Sequence, residues 1–135
     1  MKVHFRLMLA ATLAGCAGID ANAESDQCAK ATTQLDLNQC SAASMRAADA
    51  ELMKFTSTYK KRLSPTQVQL FEKAHSAWEH FRRDACGFES SGVEGGSAYP
   101  MVYGQCMTEK AQTRLKELQQ LGRCEEGDLA CPVHN

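Results

Sequence analysis

The residues best suited to chemistry in this chain of 135 residues are seven cysteines. One is Cys16, and the other six are Cys28, Cys40, Cys86, Cys106, Cys124 and Cys131. An even set of cysteines in a small exported domain is typical of structural disulfides, and no Cys-x-x-Cys redox pair occurs. We therefore predict that these six cysteines form three disulfides.

A second group with ligand chemistry is Glu72, His75 and Glu79. Their spacing of three and four residues places them on one helix face, where they can bind a metal ion. His80 points elsewhere, however, and the disulfides leave no free thiolate to complete a site. The other carboxylates are scattered, and no Gly-x-Ser-x-Gly nucleophile elbow is present. We therefore expect half-buried or solvated histidines, no metal, no cofactor and no enzymatic activity.

The amino terminus has the pattern of an export signal over residues 1–23. Lys2 and Arg6 precede an apolar run at residues 7–13, as in a secretory signal. Two cleavage sites compete. A bacterial lipobox ending at Cys16 would lead to lipidation of that cysteine, and Ala17 after it favours the outer membrane. The alternative is ordinary cleavage after Ala23, which would release the chain into the periplasm.

The composition is that of one globular domain. Hydrophobic residues make up 44% and charged residues 23%, and the formal net charge is −1. A near-neutral chain lacks the basic excess of nucleic-acid-binding domains. No other segment approaches the ~20 apolar residues that span a bilayer, so a membrane contact is expected only through a lipid at Cys16.

We predict that an all-α fold positions these residues. It is a disulfide-pinned helical hairpin plus a third packed helix. The first helix runs from Thr33 to Leu63. Ser64-Pro65-Thr66-Gln67 is a capping box with Pro at the first helical position, and it starts the second helix. The third helix opens at Tyr99-Pro100 and stops at Leu121, with Gly122 at C′. Residues 24–122 then form the helical domain, and residues 123–135 form a tail closed by Cys124 and Cys131.

Each helix carries an apolar stripe at helical spacing. The stripe of the second helix includes Val68, Phe71, Ala74, Trp78, Phe81, Ala85 and Phe88. We interpret Trp78 as a core residue. Arg82 lies one turn further, on nearly the same face, and its predicted partner is Asp49 of the first helix. Such a pair would have a structural role, not a catalytic one.

The hairpin places four cysteines at the end of the bundle opposite Ser64. The pairing Cys28–Cys40 with Cys86–Cys106 closes short segments and is favoured. The pairing Cys40–Cys86 with Cys28–Cys106 remains open.

Several motifs together resemble one family. Cys28-x4-Thr33-Gln34-x2-Leu37-Asn38-x-Cys40 is followed by Ala48-Asp49-x-Glu51-Leu52, Tyr59 and Trp78-x2-Phe81-Arg82-x3-Cys86. Glu94-Gly95-Gly96-Ser97-x-Tyr99-Pro100, Cys106, Arg114 and Leu118 complete the pattern. The chain thus resembles the LprI-type lysozyme-inhibitor family of small exported bacterial proteins. Met53 departs from the Asn that is common in that family.

The resemblance implies that the chain binds lysozyme or another peptidoglycan hydrolase and so protects peptidoglycan in the cell envelope. Occlusion of a cleft with two catalytic carboxylates is the expected mechanism. The candidate loop spans Phe88 to Tyr103, and its candidate contacts are Ser91, Gly95, Gly96, Ser97, Tyr99 and Tyr103. The same glycines also suit a plain connector that needs positive φ and a helix start. The alternative function is a non-enzymatic envelope interaction or metal-sensing module on the same frame.

Overall fold

The computed structural model describes residues 28–123, 125 and 127–132, and three long helices dominate this part of the chain. Helix α1 spans Gln34–Lys60, α2 spans Pro65–Glu89 and α3 spans Tyr99–Leu121. A 3₁₀ turn at Ser91–Val93 lies between α2 and α3. No strand occurs within the described ranges, so the all-α prediction is confirmed.

Local sequence explains where the first two helices begin. The Thr33 side chain accepts a hydrogen bond from the Asp36 backbone N–H at 3.2 Å, which caps α1. At α2 the Gln67 N–H donates to Ser64 Oγ at 3.3 Å, and the Ser64 N–H donates to Gln67 Oε1 at 2.8 Å. This is the predicted capping box, with Pro65 at the first helical position.

Two helix ends differ from the prediction. Helix α1 stops at Lys60 and not at Leu63, because the next backbone N–H groups bond three residues back, as in Leu63 to Lys60 at 3.2 Å. This tighter pattern closes a turn before Ser64. At the end of α3, Gly122 is the C-cap with a φ of −86°, so it does not adopt the left-handed C′ conformation.

The closest packing in the molecule joins α1 to α3, although α1 and α2 are neighbours in sequence. Small buried residues allow it: Ser41 and Ala48 on α1 face Gly104 and Ala111 on α3. A Cβ built at Gly104 would collide with Ser41 Oγ. That hydroxyl donates to the Met101 carbonyl at 2.8 Å. Gly104 is therefore required for the two helices to approach this closely.

We expect G104A to destabilise the fold by about 1 kcal/mol, because overpacking outweighs the higher helix propensity of alanine. In an S41A background the obstructing hydroxyl is gone, so the same change should become neutral or stabilising. Urea unfolding of the four-member cycle measures this coupling. Equal effects of G104A in both backgrounds would contradict the close-approach explanation.

Two core clusters fill the bundle. One contains Ala48, Leu52, Ala111 and Leu118, with Phe55, Phe71, Trp78 and Leu115 packed against it. The other is built on Cys86, Cys106 and Met107, with Met45 and Tyr103 beside them. The apolar stripe of α2 is only partly an inner face, however. Phe81 is 60% exposed and Phe88 is 80% exposed, because α2 packs against α3 over a narrower contact than α1 does.

Two disulfides join described residues, Cys28–Cys40 and Cys86–Cys106. This is the pairing that closes short segments, and the rival pairing is wrong. Cys131 is also disulfide-bonded. The predicted signal region 1–23, the lipidation residue Cys16 and the tail residue Cys124 lie outside the described ranges. Among the helices of the described part, none has the combined length and hydrophobicity of a membrane span.

Candidate functional site

The segment between α2 and α3 folds as a short, hydrogen-bonded loop. Ser90 at its start is 1% exposed, and its hydroxyl donates to the Cys86 carbonyl at 2.6 Å. After the 3₁₀ turn, the Gly96 N–H donates to the Val93 carbonyl at 3.0 Å. Gly95 between them has a φ of 76°, which glycine adopts without strain. The loop therefore has a defined backbone conformation, beyond the flexibility that its glycine content alone would suggest.

Contacts from outside the loop fix its position. The Cys86–Cys106 disulfide ties the end of α2 to α3 beneath it. From α1, the Asn38 side-chain amide donates to the Ser97 carbonyl at 2.9 Å. Gln34 Nε2 in turn donates to Asn38 Oδ1 at 2.9 Å, which orients that amide. All three helices thus hold the loop.

Sequence reasoning assigned no role to Asn38 or Gln34. Their spacing of four residues on a helix was a weak signal, because it predicts a side-chain pair. It does not predict that Asn38 reaches a carbonyl 59 residues away.

The structure brings the predicted contact residues together but gives them two different environments. The side chains or backbones of Ser91, Gly95, Gly96 and Ser97 are exposed. Tyr99 and Tyr103 are half-buried, and their rings stack with centroids 5.8 Å apart. Tyr103 also packs against the disulfide cluster. The two tyrosines therefore form a half-buried stacked pair in the first turns of α3, and the exposed surface of residues 91–97 consists of residues with small side chains, together with Glu94.

The buried guanidinium of Arg82 links the helices in the middle of the bundle. Arg82 is 6% exposed, and its Nε and Nη2 groups donate to the Met107 carbonyl at 3.0 and 2.6 Å. Nη2 also lies 2.7 Å from Asp49 Oδ1, the predicted ion-pair partner. The guanidinium stands 5.5 Å from the centroid of the Trp78 ring. One side chain thus connects α2 to both other helices.

A row of aromatic rings runs through the interior of the helical bundle and reaches Trp78 beside Arg82. Centroid distances of 5.5–5.7 Å link neighbours in the series Phe55, Tyr59, Phe71, His75 and Trp78. Arg114 of α3 lies 5.8 Å from the Trp78 ring, so the row ends between two guanidinium groups. Burial raises the pKa of Tyr59 against an opposing effect of Arg62.

The side chains of Glu72, His75 and Glu79 do not converge as a set of metal ligands. His75 Nε2 lies 3.7 Å from Glu79 Oε1, and His80 Nδ1 contacts Arg83 at 2.9 Å. Glu72 instead pairs with Lys60 of α1 at 3.1 Å. Within residues 28–123, 125 and 127–132, no three His, Cys, Asp or Glu side chains converge as metal ligands would.

We expect stability to fall as the pH drops below about 6.5, the ordinary pKa of histidine. Burial lowers the pKa of His75, and Arg114 and Lys60 lower it further, against the opposing effect of Glu79. The unfolded chain therefore binds a proton at His75 before the folded chain does, so acidification favours unfolding.

Replacing His75 by phenylalanine keeps a ring between Phe71 and Trp78 and removes the titration. Urea unfolding at a series of pH values measures the effect. The H75F protein should lose the part of the pH dependence that lies below about 6.5. Parallel curves for the two proteins would contradict the assignment to His75.

Comparison with known proteins gives a family match that covers most of the described chain. The family model described as lysozyme inhibitor LprI matches residues 25–118, which cover α1, α2, the loop and most of α3. The chain belongs to the LprI family. A relative in Rhizobium meliloti (strain 1021), named as an uncharacterized protein, is 32% identical over 78% of this chain and 87% of its own length. No solved structure matches the chain.

Membership confirms the resemblance seen in the motifs. The matched region ends at Leu118, so the tail with Cys131 lies outside the LprI pattern. The exposed loop and its anchors lie inside it.

Proposed function

We propose that this LprI-family protein binds a lysozyme and inhibits it by inserting the loop at residues 91–97 into the substrate cleft. The family description supports the class of partner. We choose the loop as the contact surface because it is exposed, consists mainly of small residues, and is held by three helices and a disulfide.

The physical argument rests on preorganisation. A loop whose backbone path is already fixed loses little conformational entropy on binding, so more of its contact energy appears as affinity. Gly95 and Gly96 carry no side chain, so a partner surface can approach the backbone closely. The hydroxyls of Ser91 and Ser97 are exposed and can donate hydrogen bonds to the carboxylates of a glycosidase cleft.

The test is turnover of a peptidoglycan substrate by c-type lysozyme, titrated with the oxidised protein. We expect stoichiometric loss of activity. Ser97→Arg should reduce inhibition at least about tenfold, because its long side chain is too bulky for the close approach that the loop makes to the cleft in this proposal. Ser76→Arg is the matched control, since Ser76 is exposed on α2, about 20 Å along the helix from the loop.

The possible outcomes test the loop as contact surface and lysozyme as partner separately. Inhibition by both variants, each folded, would retain the lysozyme partner and refute the loop as the contact surface. No inhibition by the parent protein at large molar excess would refute this lysozyme as the target. It would favour the alternative, an envelope interaction module on the same helical frame.

We also propose that the protein works outside the cytoplasm. Disulfides persist in oxidising compartments, and this chain has Cys28–Cys40, Cys86–Cys106 and a bonded Cys131. The intact mass of the mature protein distinguishes a lipidated Cys16 from cleavage after Ala23. Retention of the full-length mass would contradict export by either route.

A further inference from the structure

The carboxylate of Glu89, the last residue of α2, touches the disulfide beneath the loop. Its Oε2 atom lies 3.2 Å from Cys106 Sγ. Because Cys106 is bonded to Cys86, its sulfur carries no hydrogen, so the carboxylate meets it without a hydrogen bond. The other carboxylate oxygen, Oε1, lies 2.9 Å from Lys110 Nζ of α3. One carboxylate is thus shared between a sulfur of the bridge and an ammonium group.

Burial leaves this bridge open to attack from one side. Cys86 is fully buried, whereas Cys106 keeps 9% of its surface exposed. The Glu89 side chain is itself 51% exposed and contacts the Cys106 sulfur. A small thiol that attacks the folded protein therefore reaches the bridge at Cys106, beside the carboxylate.

Reduction of the bridge by a small thiol takes two exchange steps. First, a thiolate forms a bond to Cys106 Sγ, the bond to Cys86 breaks, and Cys86 leaves with the electron pair as a thiolate. A second thiolate then bonds to the sulfur of the first and releases Cys106 as a thiolate. The bridge gains two electrons, and the small thiols leave as their own disulfide. The attacking group is negatively charged in both steps, so a carboxylate in contact with Cys106 opposes it.

We propose that Glu89 protects the Cys86–Cys106 bridge from reduction by anionic thiols. Repulsion at the point of attack slows a thiolate, and the effect is larger for a thiol that carries a further negative charge. Lys110 offsets only part of this repulsion, because it pairs with Oε1 while Oε2 remains in contact with the sulfur. The protected bridge ties α2 to α3 beneath the loop, so the carboxylate helps to preserve the position of the loop.

The test is the rate of reduction of each bridge in the oxidised protein, followed by alkylation of the released thiols and mass spectrometry. One reductant is 2-mercaptoethanesulfonate, whose sulfonate adds a negative charge to the thiolate. The other is cysteamine, whose ammonium group balances the thiolate. Rates are compared at equal thiolate concentration, because only the thiolate attacks. We expect Glu89→Gln to speed reduction of Cys86–Cys106 about fivefold with the sulfonate thiol and less than about twofold with cysteamine.

The ratio of the two rates distinguishes charge from packing, because a variant that only loosens the fold admits both reagents more readily. Glu89→Gln should raise the ratio of the sulfonate rate to the cysteamine rate. Lys110→Met should lower it, because the charge that offsets Glu89 is lost. The two variants therefore change the ratio in opposite directions.

The protein offers an internal control and a matched control variant. Cys28–Cys40 joins two half-buried cysteines, and its rate ratio should not respond to Glu89→Gln. Glu94→Gln removes the same charge from an exposed position of the loop and should leave the ratio at Cys86–Cys106 within about twofold of the parent.

Four results would each overturn the proposal. The first is an unchanged ratio at Cys86–Cys106 in Glu89→Gln, and the second is an equal rise of the ratio at Cys28–Cys40. The third is an equal rise in Glu94→Gln, which would assign the effect to net charge. The fourth is a higher ratio in Lys110→Met, which would show that the ion pair and not the carboxylate is protective.

Discussion

Replacing Cys86 and Cys106 together by alanine is expected to lower the free energy of unfolding by about 2–4 kcal/mol. The disulfide closes a segment with a sequence separation of 20 residues, so its loss enlarges the unfolded ensemble. Cys86 is also fully buried, and Tyr103 and Met107 pack against the bridge, so packing is lost as well. Urea unfolding followed by circular dichroism measures the change.

Under the proposed function, the same variant should lose inhibition of lysozyme even where it remains folded. Without the bridge, the end of α2 and the start of α3 no longer hold the loop from both sides, and binding must then order it. Removal of Cys28–Cys40 is the matched control, because that bridge ties a shorter segment to α1. It should cost less stability and retain most of the inhibition. Equal losses of inhibition in the two double variants would contradict a specific role for Cys86–Cys106.

Much of the fold could be predicted because local chemistry determines it. The Ser64–Gln67 capping box, the Thr33 cap and Pro65 mark helix starts through interactions between near neighbours in sequence. The short-range disulfides follow the same logic. The position of Arg82 one turn from Trp78 was enough to suggest Asp49 as its partner.

The features that escaped prediction depend on contacts between distant residues. Nothing local indicates that Gly104 meets Ser41, and this contact is what places α3 closest to α1. Phe81 and Phe88 fit an apolar stripe, but a stripe states only which side chains share a face, not how wide the packed contact is. The hydrogen bond from Asn38 that anchors the candidate loop at Ser97 also joins distant residues, so no local pattern predicts it.

The buried guanidinium of Arg82 leads to an asymmetric prediction for the pair with Asp49. Arg82→Met keeps much of the side-chain volume but removes both hydrogen bonds to the Met107 carbonyl, and we expect a loss of about 1.5–3 kcal/mol. Asp49→Asn should cost less than about 1 kcal/mol, because the amide keeps an oxygen that can face Nη2 and solvent screens the charge of a side chain that is 43% exposed.

The Arg82→Lys variant tests the positive charge of residue 82 separately from the planar geometry of its guanidinium group. Lysine keeps the positive charge but lacks the planar fork that presents Nε and Nη2 to one carbonyl, so it should behave more like Arg82→Met than like the parent. Urea unfolding of the three variants measures the order. If Asp49→Asn destabilised the protein as much as Arg82→Met, the ion pair would be the main contribution and the Met107 hydrogen bonds would be secondary. The expected order instead means that Arg82 joins α2 to the backbone of α3, with Asp49 of α1 as a partly exposed neighbour.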